Sequence, residues 1–89
     1  MVTVKTDCIE FSFFRPQASN VHLVGDFNGW RPDMLPMKRS ADGFWNAKLD
    51  LPTGIYKFRY LADGEWFTDY AAFGVECGPF GPDSVLRVA

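Results

Sequence analysis

The 89-residue chain has a single histidine, His22, and only two cysteines, Cys8 and Cys77. That scarcity excludes the common zinc cages, which draw on closely spaced Cys and His, and no metal ligand set or cofactor motif stands out. It also denies a Ser-His-Asp set any support from spacing. The two thiols, far apart in sequence, read as reduced and mostly buried; a bridge between the first and last parts of the chain is the rival reading. Basic residues cluster only at Lys38-Arg39 and the net charge is −2. A duplex nucleic acid partner, which needs a basic face to displace counterions, is therefore not expected, and a single-strand reader would lack its basic groove. No apolar run approaches the length of a membrane span, and the N-terminus shows no charged segment followed by an apolar one. A cytoplasmic protein without membrane contact is expected. Helical periodicity is missing too, since apolar residues nowhere recur at helical spacing over the length of a helix.

What is present is strand and turn. Apolar residues make up 47% of the chain and aromatics 17%, enough for one packed core in a chain this short, so residues 1–89 are read as a single domain. Ile9, Phe11 and Phe13 alternate with Glu10 and Ser12 until Arg15-Pro16. Val21, Leu23 and Gly25 alternate with His22 and Val24 and run into Asp26–Gly29. Residues 31–39, with two prolines and no clear period, read as a loop with at most a short extended piece. Asp42-Gly43 begins a hairpin whose next strand carries Trp45, Ala47, Leu49 and Leu51 on one face. After Pro52-Thr53-Gly54, Tyr56, Phe58 and Tyr60 alternate with Ile55, Lys57 and Arg59 up to the hairpin pair Asp63-Gly64. Residues 70–83, rich in glycine and proline, read as a long irregular segment before a short final strand over Ser84–Val88. Short strands separated by turn signals indicate an all-β, immunoglobulin-like β-sandwich.

Alternation sorts the aromatics. Phe11, Phe13, Trp45, Tyr56, Phe58 and Tyr60 fall on inward phases, and Phe27 adjoins a strand end; all are assigned to the core. Trp30 and Trp66 each follow a glycine-containing turn and continue no alternation, so they belong at a rim. Arg59 lies on the outward phase of the strand leading to Trp66. Two flat indoles at two rims suit a sugar chain, since a pyranose has apolar C–H faces for an indole to cover and a rim of hydroxyls for Arg59 or Asp83 to satisfy.

Gly25-Asp26-Phe27-Asn28-Gly29-Trp30, preceded by Val21-x-Leu23-Val24, resembles the signature of the family 48 carbohydrate-binding modules, found in the AMP-activated protein kinase beta subunit and at the N-termini of glycogen branching and debranching enzymes. The resemblance extends over most of the chain. It takes in Phe11–Ala18, Asp42-Gly43-Phe44-Trp45, Leu49–Gly54, Tyr56–Tyr60 with Asp63-Gly64-x-Trp66, and Ser84-Val85-Leu86-x-Val88. It implies an early-set immunoglobulin-like sandwich that binds α-1,4-glucan (glycogen, starch or maltooligosaccharide) without catalysis. In the kinase modules, tryptophans matching Trp30 and Trp66 stack on glucose rings, while a lysine matching Arg59 and an asparagine matching Asp83 bond hydroxyls. Here Arg59 keeps the charge but not the point geometry of a lysine, and Asp83 lacks the amide donors. Phe80, in Gly78-Pro79-Phe80-Gly81, either meets the sugar as an apolar loop residue or packs the loop.

Two rival functions remain. A structural or protein-interaction module, attached to a glucan-metabolising enzyme or a kinase complex, would need no exposed indoles. An enzyme would need opposed carboxylates; Glu65 and Asp69 lie near Trp66 but read as a solvated turn and loop in a chain too small to enclose a cleft. Asp63-x-Glu65 lacks the ligand count for calcium.

Overall fold

Where apolar residues alternate, the backbone is extended. A computed structural model describes residues 2–69, 74–78 and 81–88. Its strands are Val2–Val4 (β1), Ile9–Phe14 (β2), Val21–Gly25 (β3), Lys38–Arg39 (β4), Phe44–Leu49 (β5), Gly54–Ala62 (β6), Glu65–Phe67 (β7), Val75–Gly78 (β8) and Gly81–Val88 (β9), with one 3₁₀ turn at Asp26–Asn28. Phe80 and the side chain of Cys77, both singled out above, lie outside the described residues. Cys8 carries a free thiol. Among the described residues no helix is long and apolar enough to cross a membrane.

The strands form two antiparallel sheets, β1-β2-β5-β4 and β3-β6-β9-β8, with β7 also paired to β6. This is the all-β, immunoglobulin-like sandwich expected from the strand-and-turn rhythm. Inward side chains of the two sheets meet in one core. Phe11, Leu23, Phe58, Tyr60 and Leu86 are fully buried; Phe11 meets Phe58 edge-on at 5.2 Å, and Phe13 stacks on Tyr60 at 4.5 Å. Trp45 is buried as its phase requires, and its indole N–H donates to the carbonyl of Arg15 at 2.9 Å. Phe27 and Tyr56 pack against this core from its margin.

The C-terminal part corrects the sequence reading. Where an irregular segment is expected through residue 83, the described residues of β8 and β9 pair antiparallel, with Glu76 opposite Asp83 and Cys77 opposite Pro82; residues 70–73, 79 and 80 of that segment lie outside the described residues. Glycine and proline, the usual marks of loops, obscured a strand that begins with Gly81-Pro82. The register Phe58↔Ser84 and Tyr56↔Leu86 also settles which face of β9 looks inward. β1, which pairs along β2, was likewise not read from the sequence.

β6 organises the end of the molecule that carries Arg59 and Trp66. One of its edges carries β3; the other carries β9 beside Gly54–Phe58 and then β7 beside Tyr60–Ala62. β7 and β9 therefore meet end to end beside Arg59.

Candidate functional site

Trp30 is held by a turn built from side chains. At Gly25 the chain passes so near β6 that a Cβ would lie 2.5 Å from the carbonyl oxygen of Lys57, so only glycine fits. Asn28 closes the 3₁₀ turn: its amide oxygen accepts the Gly25 N–H at 3.1 Å, and its NH₂ donates to the carbonyls of Leu23 (3.1 Å) and Arg31 (3.4 Å). Asp26 has two partners. One carboxylate oxygen accepts the indole N–H of Trp30 at 2.8 Å, and the other accepts the backbone N–H of Lys57 at 2.9 Å. Trp30 itself has φ +60, a left-handed conformation unfavourable for a large side chain. It is over-determined by the Asp26 bond and by a 2.9 Å backbone bond from its N–H to the Gly25 carbonyl. The indole is half-buried.

Trp66 is mounted differently. Asp63 (φ +48) and Gly64 (φ +85) make a two-residue hairpin turn of the left-handed kind that matches strand twist. The Asp63 carboxylate accepts the backbone N–H of Ser19 at 3.0 Å and of Asn20 at 2.9 Å, and its own N–H donates to the Asn20 carbonyl at 3.0 Å. These backbone donors hold the Asp63 carboxyl below its ordinary pKa. In the short ladder that follows, Phe67 lies opposite Tyr60 and turns inward against Phe13 at 5.4 Å. Trp66, on the alternate phase opposite Leu61, turns outward and is 47% exposed.

Arg59 and Asp83 depart from the expectation of an accessible cation and a hydroxyl partner. Arg59 does lie on the outward phase of β6, but it is only 8% exposed and Asp83 only 5%. They pair with each other, Nε to Oδ1 at 2.7 Å, across the junction of β7 and β9. Two further bonds stitch the same junction: the Thr68 hydroxyl donates to the Pro82 carbonyl at 2.7 Å, and the Asp69 N–H donates to the Ser84 hydroxyl oxygen at 2.6 Å. A guanidinium beside a carboxylate satisfies both charges locally.

The carboxylates weighed as a catalytic imitation separate. Asp69 is buried and accepts the Tyr60 hydroxyl at 2.8 Å; burial, with the nearby Asp69, raises the Tyr60 pKa. Glu65 is on the surface, 4.0 Å from Arg15. The sequence pattern marks Asp26, Asn28 and Asp63 as turn formers but does not reveal these fastening roles. The signal was there in part, because Asx side chains at turns bond neighbouring backbone, but their longer-range partners were not visible.

The fold is thus a β-sandwich with one outward indole on a hairpin and a second on a turn braced by side chains. The chain belongs to the carbohydrate-binding module 48 family (isoamylase N-terminal domain), which it matches over residues 2–73. Among similar proteins, the 1,4-alpha-glucan branching enzyme GlgB of Mycobacterium ulcerans is 40% identical over 77 residues, covering 80% of this chain and 10% of that protein. GlgB 2 of Xanthomonas campestris pv. campestris is 41% identical over 59 residues, 63% of this chain and 8% of that enzyme. The 5'-AMP-activated protein kinase subunit beta-1 of Sus scrofa is 45% identical over 49 residues, 55% of this chain and 38% of that subunit. The chain thus spans a small part of the length of these relatives.

Proposed function

We propose that residues 1–89 act as one non-catalytic module that binds α-1,4-glucan, with Trp30 and Trp66 stacking on glucose rings. The observation that carries this reading is Trp66. Its neighbour Phe67 already fills the interior beside Tyr60, so an outward indole adds nothing to the core and is left free for a ligand face. The names of the branching-enzyme relatives supply the α-1,4-glucan. Arg59 and Asp83 serve as a buried brace where β7 and β9 meet beside β6. The free thiol of Cys8 accords with a reducing, cytoplasmic setting.

Affinity is modest. An aromatic buries roughly 150–250 Å² in full, and a sugar covers one face, so each indole contributes about 2 kcal/mol at most at ~25 cal/mol/Å². A few rim hydrogen bonds at about 1 kcal/mol each, less the association cost, leave a Kd of ~10 µM to 1 mM. Tryptophan fluorescence titration with maltoheptaose and β-cyclodextrin, against a cellulose oligomer, tests this. Saturable binding of the α-glucans alone supports it, and no response to either opposes it.

A second reading is favoured by the other sheet. Phe14 and Phe44 pair at 5.0 Å on its outward face, and Phe14 is 57% exposed. Such a pair suits contact with a catalytic or kinase partner in a module that binds little sugar of its own.

A further inference from the structure

Between the segment that follows Trp30 and the turn that precedes Trp66 lies a groove of about 430 Å³. One wall is Pro32 and Asp33, the other is the Asp63-Gly64 turn, and Asn20, His22 and Leu61 complete it. Its volume falls within the range of roughly 300–1,000 Å³ typical of small-ligand sites.

The groove is continuous with the exposed tryptophan. Leu61 is the cross-strand partner of Trp66 on one side and of His22 on the other, so the three side chains form one row across β7, β6 and β3 on the same face. With strands about 4.8 Å apart, the row runs roughly 10 Å from the indole into the groove. Its chemistry is mixed. Leu61 and Pro32 are apolar, while Asn20, His22 and Asp33 bring side-chain donors and acceptors that have no hydrogen-bond partner among the described residues. The wall at Asp63 is already fixed by its bonds to Ser19 and Asn20, so little ordering is needed when a ligand arrives.

Resting on the reading of this chain as an α-glucan binder, we propose that this groove is a further glucosyl subsite. A glucan stacked on Trp66 continues over Leu61 into it, and His22 and Asp33 bond the hydroxyls of the added units. A pyranose matches it because apolar C–H faces and a hydroxyl rim occur on the same ring. The groove then selects for chain length, since a short oligosaccharide is held by tryptophan alone and a longer one gains the second set of contacts.

The test is calorimetric titration of the full chain with maltotriose and maltoheptaose, in the wild type, His22→Ala/Asp33→Ala and Trp66→Ala. The wild type should prefer maltoheptaose by at least fivefold. His22→Ala/Asp33→Ala should lose most of that preference while binding maltotriose within twofold of the wild type, and Trp66→Ala should weaken both sugars. A His22/Asp33 variant that keeps the preference, or that weakens both sugars equally, overturns the subsite. Wild-type protein that binds neither sugar overturns the α-glucan reading itself, and the subsite with it. A measurement independent of any variant is the NMR shift of the His22 ring and Leu61 methyl signals, which should move with maltoheptaose much more than with maltotriose; equal or absent movement overturns the subsite.

Discussion

Trp30 and Trp66 each follow a turn containing glycine, yet the two turns work by different physics. Trp30 is in a left-handed conformation, tied by its ring N–H to Asp26, which is tied in turn to the backbone of β6. Trp66 lies in a regular strand of three residues and has no comparable side-chain anchor among the described residues; what is fastened is the Asp63 turn behind it. One indole is fixed at the ring, the other at the base of its hairpin. On the proposed function, a flat ligand would meet one pre-set surface and one that is open on its outer side.

The comparison is sharpest against the tryptophan that belongs to the core. Trp45→Ala should cost about 3–5 kcal/mol of stability in chemical denaturation, the range for large-to-small core changes, whereas Trp66→Ala should barely move the midpoint. Next comes the buried Arg59–Asp83 pair. Arg59→Met leaves Asp83 buried and uncompensated and should cost about 3 kcal/mol or more, while Arg59→Met with Asp83→Leu should recover most of that loss. If the single and double variants are equally unstable, Arg59 is not what compensates the buried Asp83 charge.

Smaller effects separate the two mounts. At position 30 glycine should be the better small residue: Trp30→Gly should be more stable than Trp30→Ala by about 1 kcal/mol, the reverse of the ordinary order, because φ +60 favours glycine. Asp26→Ala should cost about 1–2 kcal/mol for its lost bonds and weaken glucan binding severalfold, with a changed near-UV signal from Trp30. The smallest effect is acidic. The Asp63 carboxyl titrates below its unfolded value, so its contribution is present above about pH 4 and is lost as pH falls through the lower folded pKa. Asp63→Asn should flatten that part of the stability–pH curve; an unchanged curve would detach the Trp66 hairpin from its anchor.

The strands that pack the core were legible because their side chains alternate cleanly: Phe11, Phe58 and Tyr60 are buried as their phase requires. So was the outward direction of Trp66, which the Asp63-Gly64 turn fixes locally. Two things were not legible. β8 and the start of β9 hide behind glycine and proline, because pairing there depends on a partner strand and not on local preference. Outward phase, moreover, does not by itself mean accessible. Arg59 shows the difference, since phase sets which side of a sheet a residue faces, while the Asp83 carboxylate that takes up its charge comes from another strand, 24 positions on.

The central claim, that both rim tryptophans bind α-glucan and neither is needed as core, is tested most directly by one paired measurement: calorimetric titration of maltoheptaose into wild type, Trp30→Ala and Trp66→Ala, with the thermal midpoint of each. The account predicts binding at least tenfold weaker in each variant, about 1.4 kcal/mol, with a nearly unchanged midpoint for Trp66→Ala and a drop for Trp30→Ala well short of that for Trp45→Ala. Variants that bind as tightly as the wild type, or that lose binding only because they unfold as Trp45→Ala does, would contradict it.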